Sequence, residues 1–506
     1  MGTEVSDPYA ARGQRGAVGA DLKPRGASRS RLGPVEIVIG LTVLGAILRF
    51  ATLNVQSIWL DESATMILVH RGFSGMLSHL SSSESTPPLY YVLVWGWTKI
   101  FGAGPIGFRS FSALIGTVTI PVLYAAGREI SPRVGLWAAA LTVVNPAMYY
   151  YSQEARAYGL LIFFSAAAFV YWQRALRTPD RRSLALWGLM SVLAVLSHYF
   201  AAFLFIPEAI MLVRRAGWRR VWAPIGAVVL TGLALAPLAL SQRADGKASW
   251  IEEASLGSRF AETIKQLLVG LYGPVELLTA ALAALLAAGA VVLLARGGDG
   301  RERTVARDAV IVGVTGIALP LLLAVAHLVD VFDGRNVIAA WVPFAVLVAA
   351  GLGTRRNARA GAVLGAALCA VSLAVIVTVN ALPGYQRDDW RGVAHALPSS
   401  GGGVIVAEQY ASAPLSIYRG RLRGVSGASV STRELDFVGL RIKRTDASPA
   451  PAIVPTRPPS GFRLAGVRRS EAFAVSRFVA AKPTLVSAST LRHMIGSPKA
   501  ELLTAG

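Results

Sequence analysis

Three short polar stretches interrupt an otherwise apolar chain, and each sets acidic side chains at the end of an apolar run. Ser57-Ile58-Trp59-Leu60-Asp61-Glu62-Ser63 puts two adjacent carboxylates after the first run, Glu84-Ser85-Thr86-Pro87-Pro88 follows, and Tyr151-Ser152-Gln153-Glu154-Ala155-Arg156-Ala157-Tyr158 is the third. Charge beside hydrocarbon is costly and is kept where it has a task. A carboxylate placed there can take a proton from a hydroxyl as that hydroxyl attacks, which makes Asp61, Glu62 and Glu154 the candidates for catalysis. Asp61 and Glu62 are neighbours, so their side chains diverge and only one points into a given cavity. Asp61 is the choice for the base. Asp61, Glu84 and Glu154 also offer the hard oxygens that a divalent cation takes, and Glu84 and Glu154 suit the positioning of substrate hydroxyls. Each has a plainer reading as well: Asp61 as N-cap of a helix over 62–70, Glu84 as a solvated loop carboxylate, Glu154 as a local partner of Arg156.

The cations near these stretches are Arg156, His198, His327 and Arg335. An arginine forks onto phosphate oxygens through two parallel hydrogen bonds and stabilises a departing phosphate. Asp333-Gly334-Arg335-Asn336 opens an apolar run directly, within reach of a lipid headgroup. Tyr158 and Tyr199 are further hydrogen-bond donors to phosphate, or else tyrosines of the membrane interface; His198 is either functional or satisfied within a helix turn. The substrate-binding candidates are thus Glu84, Arg156, Tyr158, His198 and Arg335, and the metal candidates Asp61 and Glu84. No Gly-rich phosphate loop, dinucleotide fingerprint or zinc-type spacing occurs, so no nucleotide or organic cofactor is expected. A divalent cation is the one candidate cofactor.

The elements that must position these residues are membrane helices. With 506 residues, 54% of them hydrophobic and 16% charged, the chain reads as a polytopic membrane protein. The net charge of +21 lies mainly in short loops between apolar runs, which marks topology and argues against nucleic acid. Cys369, the single cysteine, excludes an intrachain disulfide. Residues 1–33 read as a disordered basic tail in the cytoplasm, and 34–52 as a signal-anchor that carries residues 57–63 outward.

Phe73, Met76, Leu77 and Leu80 have the spacing of an interfacial amphipathic helix, and 87–101 is short for a span and aromatic, a second juxtamembrane helix wetted by Tyr90, Tyr91, Trp95 and Trp97. If 87–101 does not cross, ten further spans follow at roughly 107–127, 134–150, 156–173, 184–198, 199–213, 221–240, 275–295, 309–327, 337–353 and 361–381. The arginines of alternate loops then all fall inside, from Arg128 and Arg133 to Arg355, Arg356 and Arg359. The split of 183–213 at Ser197-His198-Tyr199 competes with one long helix. The expected fold is an all-α polytopic bundle of eleven spans over 34–384, with its acidic loops outside. A small extracytoplasmic α/β domain over 385–506 follows, with strands at 404–407 and 473–480, a Pro-rich bend at 449–459 and a loose tail after about Ser487.

Four motifs make the chain resemble the GT-C glycosyltransferases, in the branch of the protein O-mannosyltransferases and lipid A aminoarabinose transferases. They are Trp59-Leu60-Asp61-Glu62, Thr86-Pro87-Pro88-Leu89-Tyr90-Tyr91, Phe108-Arg109-Ser110-Phe111-Ser112-Ala113 and the stretch from Tyr151 to Tyr158. The resemblance covers roughly 34–380. It implies a polyprenyl-phosphate-linked sugar as donor, inversion at the anomeric carbon, Asp61 as base or metal ligand, and Glu154 as the acidic residue of the second outer loop. Family members usually carry Arg-Tyr where this chain has Arg335-Asn336.

These readings converge on a multi-pass cell-membrane enzyme that transfers mannose or an arabinose-like sugar from a polyprenyl phosphate to a hydroxyl of a glycan, lipid or protein outside the cytoplasm. Two other classes compete. A transporter or lipid flippase would set its ionisable residues near mid-membrane, and an inactive scaffold would only display the outer domain.

Overall fold

The computed structural model describes residues 33–246, 249–398, 403–441 and 452–505. Residues 1–32 of the basic tail expected over 1–33, and the start of the Pro-rich bend, lie outside the described residues.

Helix α1 (Pro34–Phe50) is followed by three short helices, α2 (Leu60–His70), α3 (Gly72–Ser83) and α4 (Leu89–Phe101). On α3, Met76 and Leu80 are buried while Phe73 and Leu77 stay exposed, so only half of the expected apolar stripe packs inward. Helix α4 starts after Pro87-Pro88, with Pro88 as its N-cap. Tyr90 and Tyr91 are not wetted as expected. Both are buried, and the Tyr91 hydroxyl pairs with Thr86 Oγ1 at 2.7 Å, because α4 packs on α2 and on the long helix that follows.

That helix is α5 (Pro105–Arg128), and α6 (Pro132–Val144), α7 (Pro146–Tyr151) and α8 (Tyr158–Arg177) come next. The single span expected over 134–150 is two helices. Pro146 drives Asn145 into extended backbone (φ −64°, ψ 126°). Asn145 then caps α7 through the Met148 N–H and donates to the Leu267 carbonyl at 3.1 Å. The break turns the chain into the loop that carries Glu154.

Helices α9 (Arg181–Ser197) and α10 (Ala202–Ala216) are likewise separate, divided at His198 in extended backbone. There follow α11 (Trp218–Ala244), α12 (Leu256–Val269), α13 (Glu276–Gly297), α14 (Gly300–Val325), α15 (Trp341–Gly353) and α16 (Ala358–Ala381). Side-chain caps set several starts: Asp180 on α9, Ser255 on α12, and on α14 a capping box of Asp299 with Glu302. Among the described residues, six helices (α5, α8, α11, α13, α14 and α16) are long and apolar enough to cross a membrane. The chain is a multi-pass membrane protein. One large apolar core runs from α5 to α16. Two charged groups inside it are held by neighbours: Arg49 donates to the carbonyls of Gly45, Val143 and Thr142, and Glu208 accepts from Trp187 Nε1 at 2.8 Å.

The C-terminal part is a six-stranded sheet with three helices, α17 (Trp390–Ala396), α18 (Ser412–Arg419) and α19 (Ala488–Ile495). Its strands are β1 (Val404–Ala407), β2 (Leu422–Gly424), β3 (Ser429–Leu440), β4 (Arg463–Arg469), β5 (Phe473–Ser487) and β6 (Glu501–Ala505), in the order β2-β6-β1-β3-β5-β4. β1 and β3 are parallel and the other neighbours antiparallel. All four residues of β1 are buried because both faces are covered. Ile405 packs with Trp390 and Leu415 of α17 and α18, and Val404 and Val406 with Leu491 of α19.

The loose tail expected after Ser487 is instead α19 and an inner strand. Ser487 caps α19, and Leu502 and Leu503 of β6 bury opposite faces between β1 and β2. Truncation after Ser487 is therefore predicted to expose the core of this domain. Limited proteolysis in detergent will show rapid cleavage within residues 403–487 for the truncated chain, against a resistant fragment for the full chain; equal resistance would contradict the central place of β6.

Candidate active site

Helix α2 begins after an extended Trp59, and no side chain caps it, so Asp61 is not the N-cap that its position suggested. Asp61 and Glu62 stand in its first turn and point to different partners. Glu62 goes inward. Arg109 of α5 grips it with both forks, Nε to Oε1 at 2.7 Å and Nη2 to Oε2 at 2.5 Å, and Arg387, just beyond α16, donates to Oε2 at 2.9 Å. The Ala155 N–H donates to Oε1 at 3.0 Å. Arg109 also donates to the carbonyls of Leu53, Gln56 and Ser57, which shapes the loop ahead of α2. Glu62 is fully buried. Burial alone would raise its pKa, but the charges and hydrogen bonds of Arg109 and Arg387 outweigh that and hold it at about 2.

Asp61 points outward. Its Oδ2 accepts from Arg335 Nη1 at 3.0 Å, and Arg335 Nε lies 3.3 Å from Asp333. The Arg335 guanidinium also sits 4.6 Å from the Trp250 ring centre and 6.0 Å from that of Trp59. The side chains of Asp61, Arg335 and Asp333 keep 24%, 25% and 21% exposure, whereas Glu62, Glu84, Arg109, Arg156 and Arg387 are buried, so this group is the part of the constellation open to solvent.

Glu84 is a buried carboxylate and not a solvated one. Arg156 Nη1 meets its Oε2 at 2.5 Å and Thr65 donates to its Oε1 at 3.1 Å. Arg156 is thereby paired with Glu84 and not with Glu154, and its remaining contacts, Thr65 Oγ1 at 3.1 Å and the Asp61 carbonyl at 3.4 Å, brace the first turns of α2 from beneath. Asp61 and Glu84 do not fit a shared cation: both Glu84 oxygens are occupied, and among the described residues no three His, Cys, Asp or Glu side chains converge.

Glu154 is buried, and its Oε2 has no hydrogen-bond partner. Burial raises its pKa to about 7, only partly offset by Arg387 and reinforced by Glu62 and Asp61. Tyr158 opens α8 with its ring 5.0 Å from Tyr151 and 5.3 Å from His198. His198 is buried, and its Nδ1 accepts from the Phe200 N–H at 3.4 Å, the role of a turn histidine. The adjoining Tyr199 donates to Gln242, which donates to the Thr86 carbonyl and so ties this turn to the Glu84 loop.

Reasoning from the sequence missed Arg387 and Trp250, and took Arg109 only as part of a motif. Arg387 lies 4.1 Å from the Tyr150 ring centre, between the first and third acidic stretches. The signal beside it was the Asp388-Asp389-Trp390-Arg391 run. Asp389 accepts from Ser57, Arg391 donates to Asn54, and the Tyr418 hydroxyl accepts from the Ile58 N–H at 2.7 Å, so the sheet domain is fastened to the loop that presents Asp61.

Residues 85–241 match the family described as dolichyl-phosphate-mannose-protein mannosyltransferase. The chain superposes on ArnT from Cupriavidus metallidurans in the apo state with a TM-score of 0.53 and 10% identity, covering 88% of this chain and 98% of that one. This chain has the GT-C fold. The family match spans residues 85–241 alone, and the likeness to ArnT, at 10% identity, is one of fold. The undecaprenyl-phosphate-bound form of ArnT gives a TM-score of 0.51 at the same identity and coverage. The Saccharomyces cerevisiae Pmt1-Pmt2 complex bound to its sugar donor matches at 19% identity over 43% of this chain and 34% of that chain, with a TM-score of 0.31. No curated protein matches this chain by sequence.

Because Glu62 is held near 2 against an ordinary 4.5, it stabilises the fold fully above about pH 4.5 and loses that contribution as pH falls through 2. Glu62→Gln leaves Arg109 and Arg387 without their counter-charge, a loss of about 3–5 kcal/mol. The thermal midpoint of the variant in detergent is predicted to lie well below wild type at pH 7, the gap narrowing below pH 4. A gap that stays constant with pH would contradict the assignment.

Proposed function

We propose that this protein is an inverting membrane glycosyltransferase that moves a sugar from a polyprenyl phosphate to a hydroxyl acceptor on the outer side of the membrane. The observation that carries this reading is the Asp61–Arg335 pair, open to substrate above a floor of buried, mutually paired charges. The match to the mannosyltransferase family and the fold shared with ArnT, bound in one structure to undecaprenyl phosphate, support a lipid-linked donor. Mannose or an arabinose-like pentose is the sugar we propose. We read 34–384 as the catalytic unit with eleven spans and the N-terminus inside, and 385–506 as an outer domain.

In this reading Asp61 is the base. The acceptor oxygen bonds to the anomeric carbon, the bond from that carbon to the phosphate oxygen breaks, and the acceptor proton passes to Asp61. The electron pair leaves with the polyprenyl phosphate, whose growing charge Arg335 meets through its fork. A phosphate that draws Arg335 away from Asp61 frees both carboxylate oxygens for the acceptor hydroxyl. Glu154, whose burial raises its pKa to about 7, hydrogen-bonds a sugar hydroxyl through its unpartnered oxygen. Glu62, Glu84 and Arg156, whose polar atoms are engaged with one another and with Arg109, Arg387 and Thr65, hold the loops in place instead of touching substrate.

The test is sugar transfer by purified protein from radiolabelled polyprenyl-phosphate mannose and polyprenyl-phosphate arabinose to a crude envelope extract. Asp61→Asn is predicted to lower kcat by about 10²–10⁴, and Arg335→Lys to weaken donor use through loss of the fork. Equal turnover by wild type and Asp61→Asn would remove Asp61 from the chemistry.

A further inference from the structure

At one corner of the bundle three helix ends gather six arginines. Arg181 and Arg182 open α9, Arg214 and Arg215 end α10, and Arg219 and Arg220 open α11; all six are exposed. Two contacts fix the corner. Gly188 of α9 lies so close to α11 that a Cβ there would come within 2.5 Å of Pro224. Arg215 Nε donates to the Leu176 carbonyl at the end of α8 at 3.0 Å. The α8–α9 turn and the α10–α11 turn are therefore side by side.

None of the six has a carboxylate partner among the described residues. Asp180, next to them in sequence, gives its oxygens to the Ser183 N–H and hydroxyl at 2.9 and 2.7 Å. By contrast Glu129 takes up Arg174 and Arg177 on a neighbouring part of the bundle. Four of the six, Arg181, Arg182, Arg219 and Arg220, also stand in first helical turns, where positive charge opposes the helix dipole; the Asp180 cap offsets this on α9, and no acidic residue does so on α11. The corner thus concentrates charge at a cost that an external anion would remove.

Its depth points to the source of that anion. Along α11, Trp218 and Trp222 are 59% and 58% exposed, and Leu230 and Leu233 are 67% and 63% exposed. At 1.5 Å per residue, Arg220 lies about 15 Å along the axis from Leu230. The arginines stand where hydrocarbon gives way to headgroups, a level the two tryptophans mark.

We propose that this corner binds an anionic phospholipid whose headgroup carries two phosphates, with the guanidinium groups forking onto phosphate oxygens and the acyl chains lying along the exposed apolar face of α11. The site is remote from Asp61 in the sequence and independent of the transfer reaction.

Native mass spectrometry of the full chain, released from detergent with cardiolipin or phosphatidylcholine, tests it. Wild type is expected to retain cardiolipin in preference to phosphatidylcholine, and the variant carrying Arg214→Gln, Arg215→Gln, Arg219→Gln and Arg220→Gln to bind it at least about tenfold more weakly. A control carrying Arg355→Gln, Arg356→Gln and Arg359→Gln is expected to retain it like wild type. If the quadruple variant does not stay monodisperse, Arg181→Gln with Arg182→Gln serves in its place. Equal retention by wild type and variant, or equal loss in the control, would overturn the proposal. So would displacement of cardiolipin by inorganic pyrophosphate, which would assign the corner to a soluble anion.

Discussion

The organisation of this membrane face depends on one buried carboxylate. Glu62 is closed off from water, and the Coulomb energy of leaving it alone there would be prohibitive. Arg109 and Arg387 come to it from α5 and from the chain beyond α16, separated from it by 47 and 325 residues of sequence. The third stretch adds the Ala155 N–H. One side chain therefore pins four segments: the start of α2, α5, the loop before α8 and the entry to the sheet domain. Removing any partner strands the opposite charge, which is why the arrangement behaves as a unit.

Above this floor the electrostatics change character. The floor charges are paired and largely inaccessible, whereas Asp61 and Arg335 meet across 3.0 Å with part of each side chain open. A partly exposed ion pair contributes little to stability; in the proposed reaction its position at the mouth of a cluster of buried charges serves exchange of partners with a substrate phosphate and hydroxyl. Glu154 lies between the two regimes, buried and with an oxygen unpartnered. The sheet domain belongs to the same construction. Arg387 supplies part of the floor, and Asp389, Arg391 and Tyr418 hold the loop that turns into α2.

Apolar runs, arginine loops and proline positions made much of the bundle legible in the sequence, because hydrocarbon leaves a helix few alternatives. The break at His198 was legible for the same reason. The break at Asn145-Pro146 was legible in principle, since Pro146 biases the preceding residue away from helix, yet the continuous apolar pattern over 134–150 concealed it. The acidic stretches were correctly grouped, but their pairings were not readable. Arg156 and Glu154 are two residues apart, while the partner of Arg156 is Glu84, 72 residues away. Arg387 escaped notice because nothing local marks an arginine that crosses from a linker to a buried carboxylate. Strand β6 escaped because a short terminal strand reads like a tail until its partners β1 and β2 are known.

The central claim is that the open Asp61–Arg335 pair is where a lipid phosphate arrives and the buried charges beneath it are not. An electron cryomicroscopy structure of the protein in nanodiscs with a polyprenyl phosphate tests this most directly. The account predicts phosphate density on the Arg335 guanidinium, Asp61 released from it, and Glu62 still held by Arg109 and Arg387. Phosphate density on Arg156 or Arg387, with the Asp61–Arg335 pair intact, would contradict it.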